Sequence, residues 1–590
     1  MATPKTDTQI KAVSLVTNTF SDYERLSKSY RSRFLDIYEE TATYTEKKRA
    51  DWSVNNKINK IQAIIEKVVP RIVPRQIKYL LSKRLNSFQF EEQDQEMLAD
   101  TMKAMEDYLF MIFDRYNQDE QIEKCALSMA TYGTCIAKIE YKYETANIIN
   151  DQGLTEEKVT GSYPIITPKS WTDIYVDPRF PNIEDMPAVV EVINGVRLSE
   201  LKRREESEGY FNLDKVEDVS NIDTFNTDND SYKQSVFAIT GIDQTNMKSE
   251  VDKNSLNLKV YYGWFQADGD KMEKKYKITM VDDLVIIGMK EMTSMPFVDF
   301  RAFLDPEVYY GRGFAERLIG TQRDANFKMN SASEMINMGM NHMFFWSPLS
   351  GVNPRDLVSR PGGIVPTKDT QLAMQQVQEI PMKQVPSDYF QNKNDQERDI
   401  QVLTHTVDTT NQRNAQALTN TATGARISLF ESNAVFDRIR KRFERSLEEL
   451  AYKFIETAFE NMDENIVFKK QGTEDFWALN KEAFRNALER YDIKAEATSS
   501  TMDTLEGRRE EAIALFNTVL QASQAGIPVN TEEAFIKVME TFEVKDPQRF
   551  INPTQEIEKV GAGGQLDQPE PNPAEQGPVE QTEAIAGGQI

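Results

Sequence analysis

The chain has 590 residues, a length that corresponds to about three to four ordinary domains. Apolar residues make up 39% and charged residues 28% of it, which excludes a chain that is disordered throughout. There are 94 acidic and 70 basic residues, so the net charge is −24. This balance excludes a protein whose affinity comes from gripping nucleic-acid phosphates, but not one that handles nucleic acid without holding it.

Cysteine and histidine are too scarce for most metal or thiol chemistry. Cys125 and Cys135 fit no CxxC spacing, and so large a chain with two cysteines does not depend on disulfides. No Ser or Cys nucleophile lies in a recognisable elbow near His405. We therefore expect no catalytic residue, no metal and no cofactor. The N-terminus has no signal-peptide pattern, and no apolar run approaches the ~18–20 residues that span a membrane.

The first half of the chain is predicted to be a helical region followed by an α/β region. Residues 1–110 show mostly helical periodicity, including a helix over Glu92–Arg115. Residues 111–310 alternate helix and strand signals, with strands expected at Thr134–Tyr143 and Ile174–Val176 and four more between 257 and 300. The polar, acidic stretch 205–256 is predicted to be a surface insertion.

One long helix is predicted over 311–343, and it carries two stripes. Its apolar residues recur with a period near 3.5, the spacing of a seam between helices: Leu318, Ala325, Met329, Ala332, Ile336 and Met343. A neighbouring stripe has no charge: Gln322, Asn326, Asn330, Ser333, Asn337 and Asn341. Such a stripe is either a solvated face or the surface of a helix packed between neighbours on more than one side.

The rest of the chain divides by composition. The predicted parts are an irregular or β-rich excursion (344–386), a helix (387–407), a nearly uncharged loop (408–424), a long helix with a return to α/β structure (425–497), a helical segment (498–552) and a disordered acidic tail (553–590). Overall, these parts predict an α+β protein with an architectural role.

Two motifs resemble nucleotide or nucleic-acid sites. Gly311-Arg312-Gly313 lacks the further glycine of a GxGxxG loop, because position 316 is Glu316, and is better explained as a turn into a helix. The basic cluster 438–445 is interspersed with glutamates. It is either a helix surface laced with ion pairs or a nucleic-acid contact.

The order of these parts resembles the portal proteins of tailed bacteriophages, particularly those of short-tailed phages. Ala126–Tyr141 (ALSMATYGTCIAKIEY) is similar to the helix–glycine–strand entry of their wing domain. Trp171–Pro181 (WTDIYVDPRFP), followed by Val196–Leu201 (VRLSEL), resembles their VDP…SxEL segment, although Ser199 and Glu200 are adjacent here. Met295–Asn326 (MPFVDFRAFLDPEVYYGRGFAERLIGTQRDAN) is similar to the family's PF…YGxG…ExL…QxxxN lead into the first stem helix.

The resemblance implies a portal architecture and a role in DNA packaging. Its parts would be the wing (111–310), first stem helix (311–343), clip (344–386), second stem helix (387–407), tunnel loop (408–424) and crown (498–552). The family forms a dodecameric ring at one capsid vertex, through which double-stranded DNA is packaged and ejected. A channel lined by acids and neutral amides lets the duplex slide, whereas a basic lining would trap it.

The resemblance also implies partners, a location and site residues. The partners are copies of the same chain, viral double-stranded DNA, the large terminase subunit, head–tail adaptor or tail proteins, and major capsid and scaffolding proteins, with no membrane. The chain would be assembled in the host cytoplasm and end at the capsid portal vertex. The implied DNA-facing tunnel-loop residues are Gln412, Arg413, Asn414, Gln416, Thr419, Asn420, Thr421 and Thr423. The implied intersubunit face of the stem comprises Gln322, Asn326, Met329, Asn330, Ala332, Ile336, Asn337 and Asn341.

Two other classes of protein remain open from the sequence. One is another non-enzymatic virion assembly protein, such as a tail adaptor or a scaffold. The other is an enzyme of nucleic-acid processing, which would depend on a divalent metal.

Overall fold

The computed structural model describes most of the chain. The described residues are 6–42, 53–73, 77–83, 92–149, 155–220, 231–241, 255–267, 272–281, 283–340, 343–357, 364–381, 386, 388–404, 422–461, 465–469, 476–481, 491–497, 505–524 and 531–542. They divide into two compact units: residues 1–470 with 475–502, and residues 471–474 with 503–590.

The described part of the chain is α+β. Its helices are α1 (Thr6–Thr41), α2 (Lys60–Ile72), α3 (Glu92–Arg115), α4 (Gln118–Tyr132), α5 (Leu198–Arg203), α6 (Glu205–Glu208), α7 (Leu213–Ser220), α8 (Ser231–Thr240), α9 (Phe314–Met340), α10 (Thr370–Gln376), α11 (Asp388–Thr404), α12 (Ala422–Asn461), α13 (Leu505–Gln524) and α14 (Thr531–Thr541). Its strands are β1 (Ile77–Lys83), β2 (Thr134–Ile149), β3 (Thr155–Lys169), β4 (Ile174–Val176), β5 (Ala188–Arg197), β6 (Ser255–Phe265), β7 (Lys274–Val281), β8 (Val285–Glu291), β9 (Phe297–Arg301), β10 (Phe344–Trp346), β11 (Val377–Glu379), β12 (Asn465–Lys469), β13 (Phe476–Asn480) and β14 (Tyr491–Ala497).

Two antiparallel sheets form the centre of the larger unit. One has the order β4-β5-β6-β7-β8 and the other β3-β2-β9. The main hydrophobic core lies between the three-stranded sheet and helices α2, α3, α4 and α12, and it includes the start of α9. A second core lies between α1 and the five-stranded sheet. Burial on one face of each sheet is what gives these amphipathic strands a fixed register.

A buried arginine attaches α1 to the five-stranded sheet. Arg31 is 1% exposed, and its Nη2 donates to the carbonyl of Ile174 at 2.5 Å. Its guanidinium lies 3.5 Å from the centre of the Tyr175 ring, and its Nε donates to Ser27 Oγ at 3.1 Å. Because hydrogen bonds and the ring face together replace the water that the cation loses, the charge is tolerated inside the fold.

Several predicted elements are confirmed, and others were missed. Helix α3 and strand β4 have the predicted bounds, and strands occupy the predicted regions between 257 and 300. The sequence did not predict β1, which pairs antiparallel with β14 from the far end of the chain. Pro70 lies inside α2.

The polar stretch 205–256 is more than a surface insertion. It contains α6, α7 and α8, and Leu213 and Val216 of α7 are buried in a third apolar cluster against the five-stranded sheet. The acidic side chains that surround these two residues concealed the burial in the sequence.

The smaller unit contains the helix pair α13 and α14, in the region where a helical segment is predicted. Phe516 and Phe535 pack between them with ring centres 5.8 Å apart.

Over the described residues of the chain, no helix is both long and apolar enough to cross a membrane.

Candidate functional site

Gly133, between α4 and β2, lies at a close crossing with the backbone segment that leads into helix α9. A Cβ at Gly133 would lie 2.4 Å from the carbonyl oxygen of Gly311 and 2.5 Å from the nitrogen of Gly313. A Cβ at Gly313 would lie 2.3 Å from the carbonyl oxygen of Thr131. Gly133 also has φ +90°, which disfavours side chains. The glycines of the Gly311-Arg312-Gly313 motif therefore serve this crossing, and α9 begins directly after it, as predicted.

Helix α9 binds an extended segment of its own chain through side-chain amides. Asn330 Oδ1 accepts from the N–H of Asn56 at 3.0 Å, and its Nδ2 donates to the carbonyl of Asn56 at 3.0 Å. Asn326 makes the same pair of bonds with the backbone of Ile58, at 3.0 and 3.4 Å. Gln322 Oε1 accepts from Ile61 N–H at 2.9 Å. We call these three side chains and residues 54–61 the amide ladder.

The spacing of the amide ladder follows from backbone geometry. Four residues of an α-helix rise about 6.0 Å, and two residues of extended chain span about 6.6 Å. A side chain at every fourth helical position can therefore meet every second peptide group of an extended partner, as Asn330 and Asn326 do at Asn56 and Ile58, whereas Gln322 reaches Ile61 in the first turn of α2. The carboxamide of Asn or Gln accepts from an N–H with its oxygen and donates to a C=O with its nitrogen at the same time, so a stripe of uncharged amides suits this pairing. Glu334 extends it by accepting from Val54 N–H at 3.1 Å.

The structure shows which residues of the predicted intersubunit face have contacts within their own chain. Gln322, Asn326 and Asn330 are hydrogen-bonded within their own chain, because the segment before α2 lies along this side of α9. Ala332 is only 7% exposed and is also covered within the subunit. Met329 is half-buried, Ile336 and Asn337 are exposed, and Asn341 lies outside the described residues.

The far end of α9 and the segment after it expose an unusual amount of apolar surface. Ile336 is 53% and Met340 60% exposed. Strands β10 and β11 pair antiparallel in the predicted clip, which is irregular and β-containing as expected but also holds the short helix α10. The exposed large apolar residues of α9, this segment and α11 are Phe327, Met335, Ile336, Met340, Met343, Phe345, Trp346, Leu349, Ile364, Val365, Leu372, Met374 and Val402. So large an apolar surface is typical of a protein interface.

Helix α12 covers the open edge of β9 with side-chain donors. Lys453 Nζ donates to the carbonyl of Phe297 at 2.7 Å, Ser446 Oγ to that of Asp299 at 2.7 Å, and Arg442 Nη1 to that of Ala302 at 2.8 Å. These bonds satisfy carbonyls at a sheet edge, where β9 pairs with no further strand of the described residues. The basic cluster 438–445 is thus partly structural. Arg440 also pairs with Asp437 and Glu444, which agrees with an ion-paired helix surface.

A buried ionic network ties strands of the two sheets together. Lys138 and Lys169 each lie 2.7 Å from a carboxylate oxygen of Glu191, which is 1% exposed. Both lysines also contact Glu140, at 2.8 and 2.9 Å. Burial disfavours the charged form of Glu140, but the two ammonium groups outweigh it and lower its pKa to about 2. The sequence did not single out these four residues.

The predicted tunnel loop cannot be compared with the structure. Gln412, Arg413, Asn414, Gln416, Thr419, Asn420 and Thr421 lie outside the described residues, as does His405. Thr423 belongs to the backbone of α12, which begins at Ala422 and so slightly before the predicted start. Among the described residues, no group of three or more His, Cys, Asp or Glu side chains is arranged to hold a metal ion.

A comparison with known families identifies the class of protein. The family model described as Phage SU10 portal protein matches residues 89–586, which is most of the chain. The chain therefore belongs to this family of phage portal proteins, whose members are structural proteins of the virion at the capsid vertex. No curated protein matches it. The family assignment favours a portal over the other assembly proteins and the enzyme that the sequence left open.

Proposed function

We propose that the chain forms a closed ring of identical subunits, twelve by analogy with the family, whose channel carries viral double-stranded DNA during packaging and ejection. The observation that supports this most strongly is the family match over residues 89–586. The ring is assembled in the host cytoplasm with major capsid and scaffolding proteins. It docks the large terminase subunit first, and head–tail adaptor or tail proteins afterwards.

The exposed apolar surface of the stem and clip supports assembly. Exposing so many large apolar side chains to water costs about 25 cal/mol per Å² of apolar surface. Copies of the same chain can cover this surface in a symmetric assembly. Of the predicted stem face, Met329, Ile336, Asn337 and Asn341 are the residues proposed to contact a neighbouring subunit. Electron microscopy of the purified protein should show rings with an axial hole, and native mass spectrometry that finds only monomers would contradict the proposal.

The tunnel loop is proposed to face the DNA. Apart from Asp408 at its start, the loop carries a single charge, Arg413, and is rich in Thr, Asn and Gln, so it offers no strong phosphate contact to a moving duplex. Asn414→Lys with Thr421→Lys adds two cations per subunit. We expect rings to form normally while packaging of DNA into proheads slows or stalls, with partial recovery at higher salt.

The matched control for these lysines is Asn414→Met with Thr421→Met, which adds similar length without charge. It should package DNA at close to the unmodified rate if charge is the cause. Packaging at the unmodified rate with both lysines present would show that the loop does not face the DNA.

A further inference from the structure

The two cysteines of the chain lie side by side in the folded subunit. Cys125 is in α4 and Cys135 is in β2, and both are buried in the main hydrophobic core. Their thiols are free, and they are in hydrogen-bond contact with each other. A single buried cysteine is a small apolar residue. Two thiols in contact are different, because each can react with an oxidised form of the other.

The turn at Gly133 brings the two cysteines together. Gly133 has φ +90°, and its N–H donates to the carbonyl of Met129 at 2.9 Å, so the chain leaves α4 and enters β2 without a loop. Helix α4 then packs against β2. On the strand, Cys135 pairs with Phe300 of β9, which holds it from the other side. Both sulfur atoms are therefore carried by well-packed elements, and the bonding distance of about 2.05 Å is a short movement away.

The two thiols are not equivalent. The hydrogen bond with Cys135, together with burial, raises the pKa of Cys125. Because the thiolate is the nucleophile, Cys125 is the slower of the pair to attack an oxidant. Cys135 is therefore assigned the first attack, and Cys125 the role of the resolving thiol.

We propose that Cys125 and Cys135 are a modification site at which a peroxide forms an intramolecular disulfide. The sulfur of Cys135 attacks one oxygen of hydrogen peroxide, the O–O bond breaks, and the other oxygen leaves as water with the thiol proton. The sulfur of Cys125 then attacks the sulfenic sulfur of Cys135, the S–O bond breaks, and a second water leaves. Two thiols thus lose two electrons, and one peroxide is reduced to two waters.

The site would separate assembly from the finished particle. In a host cytoplasm thiols are kept reduced, whereas outside the cell a disulfide persists. The bond would link α4 to β2 beside the crossing where Gly133 meets Gly311 and Gly313. It would thereby strengthen the support on which the start of α9 rests. The inference goes beyond the proposed function, and the closure of the bond does not require a ring.

The test treats the full-length chain with hydrogen peroxide. Trypsin cleaves after Lys124 and Lys138, so one peptide, residues 125–138, carries both cysteines. After the peroxide is removed, denaturation with iodoacetamide labels the remaining free thiols. Free thiols should fall from two per chain to none, and the unlabelled peptide should be lighter than its thiol form by two hydrogens. Dithiothreitol should restore both labels.

The matched controls are Cys125→Ala and Cys135→Ala. In Cys125→Ala, Cys135 has no resolving thiol and should continue to the sulfinic or sulfonic acid, which dithiothreitol does not reverse. In Cys135→Ala, the remaining thiol should be oxidised about tenfold more slowly, since each unit of raised pKa lowers the thiolate fraction about tenfold. The oxidised unmodified chain should unfold about 2–4 °C above its reduced form, and neither variant should show this shift.

The unmodified chain alone can overturn the proposal, even if an alanine variant fails to fold. Full labelling of residues 125–138 after peroxide has oxidised the exposed Met272 and Met374 would show that the pair does not close. Sulfinic acid on Cys135 in place of a disulfide would show that the thiols do not meet, and a covalent dimer on a non-reducing gel would place the bond between chains. A chain that closes the disulfide but forms no rings would contradict the proposed function and leave this site standing.

Discussion

The first two thirds of helix α9 and its end both carry uncharged side chains, amides in one and apolar groups in the other, and they differ in what covers them. In its first two thirds, Gln322 and Asn330 are buried against residues 54–61 of the same chain. Near its end, Met335 and Ile336 are 41% and 53% exposed. The amides are thus complete within one subunit, whereas the apolar residues lack a partner. A stripe of amides on a helix can therefore mark an extended backbone to be bound, and is not by itself evidence of an intersubunit surface.

The largest expected effect comes from Ile336→Asp, one of two aspartate substitutions that distinguish the exposed part of α9 from the covered part. Ile336→Asp places a charge on the exposed end, where it should leave the subunit folded and abolish rings, because an unpaired charge would be buried at the interface. Native mass spectrometry should find monomers with an unchanged circular dichroism spectrum. Rings formed by Ile336→Asp would show that this end of α9 is not an interface.

Ala332→Asp is the matched change four residues earlier, at a position covered within the subunit. In the monomeric Ile336→Asp background, it should lower the free energy of unfolding by about 3 kcal/mol or more, because a carboxylate loses its water without gaining a partner. Urea unfolding measures this difference. An equal stability of the two proteins would mean that residue 332 is not covered in the isolated subunit.

The two central sheets differ from the amide ladder because their strands are joined by buried ion pairs, whose carboxylates can be protonated. Glu191→Gln removes the buried carboxylate shared by Lys138 and Lys169, and should cost about 3–5 kcal/mol in the same monomeric background. Glu191 also has a lowered pKa: burial opposes this, but the two lysines outweigh it. Asp299→Asn is an informative control, because burial raises the pKa of that carboxylate.

The pH dependence of this network has a defined sign. The folded-state pKa of Glu140 is about 2 and that of Glu191 is lowered, whereas an unfolded Glu titrates near 4.3. Their contribution to stability is therefore complete above about pH 4.3 and is lost as the pH falls towards 2. Unfolding midpoints across this range should fall less steeply for Glu191→Gln than for the parent. A parallel fall would show that the network does not contribute.

The sequence predicted local elements better than the contacts between distant ones. Helix α3 and strand β4 followed from periodicity, and the start of α9 followed from Gly311-Arg312-Gly313. The same glycines gave no sign that Gly133 crosses them, because a close approach of two backbones leaves no pattern in either segment. The partner of the amide stripe was missed for the same reason. Its residues 54–61 are recognisable only by Asn59, which caps α2.

The smallest expected effect concerns a single rung of the amide ladder. Asn330→Leu keeps the size of the side chain but leaves the N–H and C=O of Asn56 without partners, at a cost of about 1–3 kcal/mol. The local measurement is amide hydrogen exchange, in which the Asn56 N–H should exchange about tenfold faster or more. Asn337→Leu changes the same residue type two turns further along, where the side chain is exposed. It should alter the stability of the monomer by less than about 0.5 kcal/mol. If Asn337→Leu destabilised the monomer as much as Asn330→Leu, the two ends of α9 would not differ in the way their contacts indicate.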